Sequence, residues 1–282
     1  MNIGISGATG FIGKSLVNSF RSTGHQVTVI SRQDFNLGRL KEKLENLEVI
    51  INLAGESIEG RWTVRKKKRI YNSRIQSAKM LVEAVNLYDI RLKAFVNISA
   101  VGIYDDQQLH REDSTAFSRN FLTKVLKDWE SQLQYLGNPH IRQVLVRAGI
   151  VLGKEGGILG KILRMAKFGV GVHIRIDKGL PFIHLKDLIR IFDHVLQNHQ
   201  ISGTVNAVAP VIVDTSVFFS TLNAALKPKL IIPVYGWMIK LILGQSAVLL
   251  TEGQKVIPET LTRSGFRFHF PDLESTFKDI LT

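Results

Sequence analysis

The sequence predicts an α/β fold with a doubly wound parallel sheet and a smaller C-terminal cap. Short apolar strands alternate with amphipathic helices over residues 2–208, which is the pattern of a parallel sheet covered by helices. A glycine-rich turn joins the first strand to the first helix, as it does in dinucleotide-binding folds of this class. The chain has 282 residues, 45% of them hydrophobic, which is enough for one large domain and a smaller lobe.

The strands and long helices can be read from the sequence in chain order. Strands are predicted over residues 2–6, 25–30, 48–53, 93–99, 143–147 and 204–208, and helices over about residues 11–21, 63–88, 117–135 and 185–198. We expect residues 1–155, joined by about residues 183–210, to form the main domain, and residues 156–182 and 211–282 to form the cap. Ligands of open α/β sheets bind outside the carboxyl ends of the strands. We therefore expect the segments that follow the strands to meet there, namely Gly7–Gly13, Arg32, Ala54–Glu56, Ser99–Tyr104 and Gly149–Val151.

Three glycines spaced three residues apart, Gly7, Gly10 and Gly13, follow the first strand. Gly7 permits a tight turn, Gly10 lets the backbone approach a pyrophosphate, and Gly13 lets the helix pack closely on the strand. The N-terminus of the following helix offers unpaired N–H groups and the positive end of its dipole to an anion. This context, between a strand and a helix, predicts a Rossmann dinucleotide site.

The end of the second strand indicates which dinucleotide binds. An acidic residue at this point usually bonds the ribose 2′-hydroxyl of NAD, whereas an arginine accommodates the 2′-phosphate of NADP. Here the strand ends in Ser31 and Arg32, with Asp34 two residues further on as the competing acid. Arg32 as a solvated loop cation is the other interpretation. The sequence favours NADP(H).

Residues 61–74 carry no acid and much of the positive charge of a chain whose formal net charge is +13. On a helix, Val64, Ile70, Ile75 and Ala78 would face inward while the lysines face solvent. Two other interpretations stay open: a field that attracts a polyanionic cofactor, and a fortuitous affinity for anionic polymers. We see no recognition helix or aromatic stacking platform around this run, so we do not expect nucleic acid as a partner.

The composition excludes several other classes of site. The chain has no cysteine, which rules out disulfides, thiol catalysis and thiolate metal sites. We expect no metal site, because no cluster of histidines and carboxylates has ligand spacing. The longest apolar stretch, residues 230–250, is interrupted by Pro233, Lys240 and glycines, and predicts packed helix rather than a membrane span. We expect a cytoplasmic protein that does not associate with membranes.

Several motifs together resemble the short-chain dehydrogenase/reductase superfamily in its extended form. They are Gly-Ala-Thr-Gly-Phe-Ile-Gly (7–13), Asn-Leu-Ala-Gly-Glu (52–56), Arg-Trp (61–62) with Ser-Arg (73–74), Arg-Ala-Gly-Ile-Val-Leu-Gly (147–153), Ile-His-Leu-Lys-Asp-Leu (183–188), and Gln-Lys-Val-Ile-Pro (254–258) with Gly-Phe (265–266). The set is similar to the atypical branch called epimerase family proteins, which is related to NAD-dependent epimerase/dehydratases. The resemblance covers essentially the whole chain and implies NADPH as cofactor and a C-terminal cap over the sheet edge.

The resemblance also implies which residues line the cofactor site. In that branch they include the Ser-Arg after strand 2, the Leu-Ala after strand 3, and the residues matching Arg74 and Val151. Together with the glycine turn, this gives the candidate cofactor-binding residues Gly7, Thr9, Gly10, Phe11, Ile12, Gly13, Ser31, Arg32, Leu53, Ala54, Gly55, Glu56, Arg74, Ser99 and Val151. Glu56 has two interpretations, a ribose ligand or a cap of the next element.

The catalytic residues of the superfamily are only partly present. The usual chemistry needs a tyrosine acid/base with a lysine four residues later, beside a serine that holds the substrate hydroxyl. Ser99 matches that serine, or it only caps local backbone. No Tyr-x-x-x-Lys pair occurs in the chain, and Leu122 and Leu126 stand at the expected positions. Leucines cannot transfer a proton.

Tyr104, on the loop after strand 4, is the candidate substitute acid. Its phenol could donate a proton, and Lys124 and Lys127 could lower its pKa. In the other interpretation Tyr104 packs against the cleft without titrating. Ser99 and Tyr104 are therefore the candidate catalytic residues.

Two further groups of polar residues have both a structural and a functional interpretation. His184 and Asp187 suggest acid/base chemistry or a metal pair, but they are more typical of residues that support a loop and a helix start. Arg175 and Lys178 face either an anionic substrate or solvent. Two functions stay open: an NADP(H)-dependent oxidoreductase or epimerase of unknown substrate, and a dinucleotide-binding sensor or regulatory protein that has lost its chemistry.

Overall fold

A parallel sheet forms the centre of the computed structural model, which describes residues 1–174 and 176–282. Within that range the side chains of residues 158, 161, 165, 239, 240, 242, 243, 246, 249 and 250 are not described. The described strands are β1 (Asn2–Ser6), β2 (Gln26–Ile30), β3 (Val49–Asn52), β4 (Ala94–Ala100), β5 (Leu109–His110), β6 (Arg142–Ala148), β7 (Ile150–Leu152), β8 (Val170–Ile174), β9 (Phe182–His184), β10 (Gly203–Ala207), β11 (Leu230–Val234) and β12 (Lys255–Val256).

The described helices cover both faces of the sheet and continue into the C-terminal part of the chain. They are α1 (Phe11–Ser22), α2 (Leu37–Leu44), α3 (Val64–Leu87), α4 (Phe121–Glu130), α5 (Gly157–Ala166), α6 (Leu185–Gln197), α7 (Thr215–Leu226), α8 (Gly236–Leu243), α9 (Val248–Thr251), α10 (Glu259–Arg263) and α11 (Leu273–Leu281). Short 3₁₀ helices cover Arg32–Asp34, Val101–Ile103, Ser131–Tyr135 and Gly244–Ala247.

The central sheet has the strand order β10-β6-β4-β3-β1-β2, and every pairing in it is parallel. The predicted doubly wound fold is therefore confirmed, and the carboxyl ends of its strands share one edge. The chain runs outward from β1 to β2 and then crosses back to β3 on the other side of β1. This reversal makes a topological switch point between β1 and β3, where open α/β sheets bind ligands.

Alternate residues of the strands supply two hydrophobic clusters, one on each face. Val49 and Ile51 of β3 pack in the cluster that includes Leu16 of α1, whereas Ile50 packs in the cluster that includes Leu40 of α2. Side chains of a strand point alternately to its two faces, so a sheet with helices on both sides needs apolar residues at every position. A third cluster lies in the later part of the chain and includes Leu152, Leu159, Ile174, Phe218 and Phe277.

One helix differs from the sequence-based prediction in its bounds, and another in the burial of its first residue. The helix expected from residue 117 begins at Phe121, because the side chain of Asn120 accepts a hydrogen bond from the N–H of Thr123 and caps it. Its last predicted residues, Ser131–Tyr135, form a 3₁₀ helix. In α3, Ile70 and Ala78 are buried as expected, but Val64 is 87% exposed because it stands in the uncovered first turn.

The apolar stretch 230–250 is not the single packed helix that the sequence suggested. It begins as the strand β11, which pairs with β8, and only then turns into α8 and α9. Leu230, Trp237 and Leu241 are largely exposed. None of the described helices is long and apolar enough to cross a membrane.

Candidate functional site

The glycine turn after β1 has the geometry expected of a phosphate cradle. Gly7 has φ +70°, a conformation that favours glycine. A Cβ built at Gly13 would lie 2.3 Å from the carbonyl oxygen of Gly7, so only glycine lets α1 approach the turn this closely. At Gly10, which is exposed and extended with φ −75°, a Cβ would lie 3.3 Å from the same oxygen. A side chain at Gly10 would therefore require the Gly7 carbonyl to shift by a few tenths of an ångström.

The N-terminus of α1 is open to an anion. Gly10 is its N-cap residue and offers no capping side chain, and the first turn contains no acid. The free N–H groups and the positive end of the helix dipole face the carboxyl edge of the sheet at the switch point. Beside them in the sequence, Thr9 is exposed and Phe11 and Ile12 are half-buried. The arrangement fits a pyrophosphate.

A ladder of buried polar side chains crosses the same edge. The hydroxyl of Ser6 donates to Oδ1 of Asn52 at 2.5 Å, and Nδ2 of Asn52 donates to Oδ1 of Asn97 at 2.7 Å. These residues are paired in register on β1, β3 and β4. Oδ1 of Asn52 also accepts from the N–H of Ala54 at 3.3 Å, which fixes the start of the loop after β3.

Sequence reasoning missed this ladder. Its signal is a polar residue in the carboxyl-terminal half of each of three largely apolar strands, at positions that the parallel register brings side by side. Register cannot be read from one strand alone, so the residues do not stand out individually.

The turn after β2 holds Ser31, Arg32 and Asp34 in a small network. The carboxylate of Asp34 accepts from the backbone N–H of Ser31 at 2.7 Å and from its hydroxyl at 2.6 Å. The hydrogen bond from the Ser31 side chain lowers the pKa of Asp34. Arg32 is exposed. Asp34, the competing acid of the sequence analysis, is thus buried and occupied by Ser31.

The segment after β3 passes directly beside the glycine turn. A Cβ at Gly7 would lie 2.6 Å from the carbonyl oxygen of Leu53. Leu53, Ala54 and Glu56 are half-buried and Gly55 is exposed. The segment therefore reaches the switch point together with the turn.

Glu56 ties this segment to the first turns of α3. Its carboxylate lies 3.0 Å from Nζ of Lys66 and 3.7 Å from a guanidinium nitrogen of Arg69. The hydrogen bond from Lys66 lowers the pKa of Glu56. Its backbone N–H donates to the hydroxyl of Ser73 at 2.8 Å. Of the two interpretations of Glu56, these contacts favour an anchor of the following helix.

Arg74 is a half-buried cation at the same edge. Its guanidinium donates to the carbonyl oxygens of Glu56 at 3.0 Å and of Ile70 at 3.2 Å, and it lies over the ring of Trp129. A Cβ at Gly55 would lie 3.0 Å from the guanidinium carbon, so glycine leaves the room that Arg74 occupies. Burial lowers the pKa of Arg74 to about 10. A half-buried cation held by carbonyl oxygens is suited to receive an anion.

The loop after β7 closes over the first turn of α1. Gly153 and Gly156 lie against the ring of Phe11, since a Cβ there would come within 2.8 Å and 2.4 Å of it. Val151 is half-buried in β7 and pairs with Ile183 of β9. The loop thus covers the helix start without filling the glycine turn.

Ser99 is buried near the carboxyl end of β4, where its hydroxyl donates to Oε1 of Glu130 at 2.5 Å. Glu130 also pairs with Arg147, whose guanidinium approaches its two oxygens at 2.9 Å and 2.7 Å. Burial by itself lowers the pKa of Arg147, but the hydrogen bonds and charge of Glu130 outweigh it and raise that pKa. The Ser99 hydroxyl is therefore engaged with a buried ion pair.

Tyr104 lies in the core rather than on the cleft surface. Its side chain is fully buried, its hydroxyl donates to Asn206 at 3.0 Å and accepts from Arg147 at 2.8 Å, and its ring stacks on His110. Burial raises the pKa of Tyr104. A phenol with two partners inside the core is poorly placed to reach a substrate. The geometry favours the interpretation in which Tyr104 packs without titrating.

The lysines expected beside Tyr104 have other partners. Lys124 pairs with Asp128 at 3.0 Å, and Lys127 lies over the ring of Phe117. The cation that contacts the phenol is Arg147, which comes from a different strand. The expectation that the lysines tune Tyr104 is therefore wrong, because it rested on nearness in sequence alone.

The leucines at the expected proton-transfer positions are packed in the core. Leu122 and Leu126 are 5% and 2% exposed. A Cβ at Gly102, in the loop after β4, would lie 3.5 Å from Leu122. Apolar side chains thus fill the face of α4 beside that loop.

The histidine and acid at the start of α6 serve the packing of the C-terminal residues. His184 Nδ1 accepts from the N–H of Lys186, and its ring stacks on Phe270. Asp187 is fully buried and accepts from the N–H groups of His269 and Phe270. These contacts favour the structural interpretation. Among the residues that the structure describes, no group of three His, Asp or Glu side chains is arranged to hold a metal ion.

Lys178 pairs with Asp106 at 2.6 Å, which supplies an internal anion for this cation. Arg175, which was considered with it, lies outside the described residues.

Comparison with known families gives two matches along the chain. A model described as the NAD dependent epimerase/dehydratase family matches residues 3–207. A model described as a domain of unknown function matches residues 235–280.

Two curated relatives are similar over their full length. The human "epimerase family protein SDR39U1" is 33% identical over 294 residues, covering 100% of both chains. The "epimerase family protein YfhF" of Bacillus subtilis is 32% identical over 298 residues, covering 100% of this chain and 98% of the relative.

Solved structures agree with these matches. A crystal structure of human SDR39U1 (isoform 2) with NADPH superimposes with a TM-score of 0.92 at 31% identity, covering 99% of each chain. The UDP-glucose 4-epimerase of Thermus thermophilus in complex with NAD has a TM-score of 0.77 at 15% identity, covering 100% of this chain and 99% of that one. The latter likeness concerns the fold alone.

Proposed function

The chain belongs to the NAD-dependent epimerase/dehydratase family, and we propose that it is an NADP(H)-binding protein of the epimerase and reductase type. The observation that carries the proposal is the open turn of Gly7, Gly10 and Gly13 at the switch point between β1 and β3. The NADPH in the human relative supports the choice of cofactor. Bound NADP(H) would supply a hydride donor or acceptor for a hydroxyl or carbonyl carbon.

Each candidate residue has a role in this proposal. The turn at Gly7–Gly13, with Thr9, Phe11 and Ile12, would receive the pyrophosphate on the N–H groups of α1. Ser31 and Arg32 would receive the 2′-phosphate, since both stand at the end of β2. The remaining residues, Leu53, Ala54, Gly55, Arg74, Ser99 and Val151, would line the ribose and nicotinamide halves of the cofactor. Glu56 would lie beside them as the anchor of α3.

A second candidate function is a sensor or regulatory protein that binds NADP(H) without turnover. It is favoured by one specific observation: apolar Leu122 and Leu126 stand where the superfamily carries its acid/base pair, and both are buried. Tyr104, the substitute donor, is also enclosed. Ser99 keeps its position at the end of β4, which favours an enzyme.

Two further features belong to the proposal. We propose that residues 156–182 and 211–282 form the cap over the sheet edge, and that residues 1–155 with about 183–210 form the domain that binds the cofactor. We also propose that the protein is cytoplasmic and does not associate with membranes.

Substitution of Gly10 tests the site. Gly10→Val should abolish NADPH binding, because the side chain would stand where the backbone meets the pyrophosphate, while the fold should stay largely intact after a small shift of the Gly7 carbonyl. Gly38→Val is the matched control: Gly38 is exposed in the first turn of α2, and its Cβ would lie 3.7 Å from the nearest atom, a side-chain oxygen of Asn36. Calorimetric titration with NADPH measures binding, and circular dichroism checks the fold. Unchanged binding by a folded Gly10→Val protein would refute the site.

Cofactor preference is tested at Arg32. The wild type should bind NADPH more tightly than NADH, because a charge-assisted contact to the 2′-phosphate contributes about 1.5–3 kcal/mol. Arg32→Ala should therefore lose about tenfold or more in NADPH affinity and leave NADH affinity unchanged. Equal affinities of the wild type for both cofactors would contradict the assignment.

A further inference from the structure

Cations from two separate elements converge on the Glu56 carboxylate. Lys66 and Arg69, in the first two turns of α3, lie 3.0 Å and 3.7 Å from its Oε1. Arg32, which follows β2, is close enough for its charge to lower the pKa of Glu56, after the larger effects of Lys66 and Arg69. The basic run of α3 and the Arg32 turn thus both act on the charge of Glu56.

This point lies at the edge where the cofactor is proposed to bind. Glu56 follows β3 and Arg32 follows β2, and the parallel sheet brings both strand ends to the edge that carries the glycine turn. The end of β2 is where the adenosine ribose, with its 2′-substituent, lies in folds of this class. A phosphate held by Arg32 would therefore come close to Lys66 and Arg69.

Lys66, Arg69 and Glu56 form a charged cluster whose partial burial distinguishes it from an ordinary solvated helix face. The side chain of Lys66 is only 15% exposed and that of Glu56 24%, so their charges are partly withdrawn from water. Arg69, at 55% exposure, closes the cluster on the solvent side. Partial burial reduces screening, which strengthens the attraction of these cations for an anion.

We infer that Lys66 and Arg69, together with Arg32, determine specificity for the 2′-phosphate of the cofactor, and that Glu56 is a resident carboxylate that competes with this phosphate for them. The inference rests on the proposed NADP(H) site and deepens it. It also selects one interpretation of residues 61–74: the charge there attracts a polyanionic cofactor locally.

Charge-neutralising variants test the inference by binding rather than turnover. Lys66→Gln and Arg69→Gln should each weaken NADPH binding about fivefold and leave NADH binding unchanged. Lys68→Gln removes the same charge from the same helix and is the matched control, with an expected change below about twofold. Glu56→Gln should act in the opposite direction and strengthen NADPH binding a few-fold, because it frees the cations.

Small probes separate the 2′-phosphate from the rest of the cofactor. Adenosine 2′,5′-bisphosphate should follow NADPH across the variants, and adenosine 5′-monophosphate should follow NADH. Heparin serves as the control, because it is a polyanion that carries no adenosine 2′-phosphate. If Lys66→Gln and Arg69→Gln weaken heparin binding but not bisphosphate binding, the cluster is a general anionic-polymer surface and the inference is wrong.

The outcomes distinguish this inference from the function on which it rests. A wild type that binds neither NADPH nor NADH overturns the proposed function. A wild type that binds NADPH, with Lys66→Gln and Arg69→Gln no weaker than Lys68→Gln, overturns only the inference. Circular dichroism of each variant confirms that a lost affinity is not lost structure.

Discussion

Arg74 shows at the scale of one residue how a binding site can oppose stability. Its half-buried guanidinium has two carbonyl oxygens as hydrogen-bond partners, and partial burial lowers its pKa to about 10. A buried charge without a closely paired counter-charge costs free energy in the folded state. The negative charge of a bound NADP(H) nearby would relieve part of that cost.

Replacing Arg74 should therefore separate binding from stability. Arg74→Met should change the free energy of unfolding by less than about 1 kcal/mol, while NADPH affinity falls about tenfold or more. Urea unfolding and calorimetry measure the two effects.

Arg142 provides the matched control for this prediction. It also donates to two carbonyl oxygens, those of Val195 and Ile201, and burial lowers its pKa. It stands at the start of β6, at the opposite edge of the sheet. Arg142→Met should leave NADPH binding unchanged. Equal losses of NADPH affinity in Arg74→Met and Arg142→Met would show that the effect is not specific to the proposed site.

Single residues were predictable where the signal is local. The conformation of Gly7 and the close approach at Gly13 follow from their places in one short motif. Tyr104 was not predictable in the same way, because its burial depends on Asn206 and Arg147, which lie on distant strands. Local sequence indicates which chemistry a side chain can perform, but not whether the side chain can reach a ligand.

At the scale of elements, the ladder of Ser6, Asn52 and Asn97 links the ends of three strands. Asn52 is its centre and has partners on both sides, so its removal would leave two buried polar groups unpaired. Asn52→Ala should lower the free energy of unfolding by about 2–4 kcal/mol. Asn46→Ala, at an exposed asparagine, should change it by less than about 0.5 kcal/mol. Urea denaturation measures the free energy of unfolding of both variants. If Asn52→Ala lowers it as little as Asn46→Ala does, the ladder does not stabilise the fold.

Strands were easier to predict than helix starts and cap elements. The strands of the sheet match the prediction within a few residues, since both faces are covered and most of their positions are apolar. The start of α4 was misplaced because Phe117 continues the apolar pattern while Asn120 supplies the cap. The strand β11 was read as helix because its pairing with β8 joins residues far apart in the chain.

At the scale of the whole molecule, the family and the Rossmann fold were predicted and are confirmed. Several short motifs occur along the full chain, and their combination is specific. The division into a main domain and a cap stays a prediction, as do the individual cofactor contacts. The substrate could not be predicted, because none of these motifs is typical of one substrate class.

The whole arrangement also predicts how poorly the protein should catalyse the usual reaction of its superfamily. With Leu122 and Leu126 in the core and Tyr104 enclosed, no tyrosine–lysine pair can transfer a proton. General acid–base catalysis contributes about 10²–10⁴-fold. Turnover of carbonyl compounds and nucleotide sugars with NADPH should therefore be very slow or absent.

The measurement is a screen of such substrates that follows NADPH absorbance, with Tyr104→Phe and Ser99→Ala made for any substrate that reacts. Tyr104→Phe should lower stability, because Arg147 and Asn206 each lose a buried partner, but it should leave the rate unchanged. Ser99→Ala should lower the rate if the hydroxyl holds substrate. Turnover at about 1–10³ s⁻¹, the ordinary range of enzymes, would show that another group supplies the proton. A rate lost only in Tyr104→Phe would return the acid role to Tyr104 and require that the core around it opens.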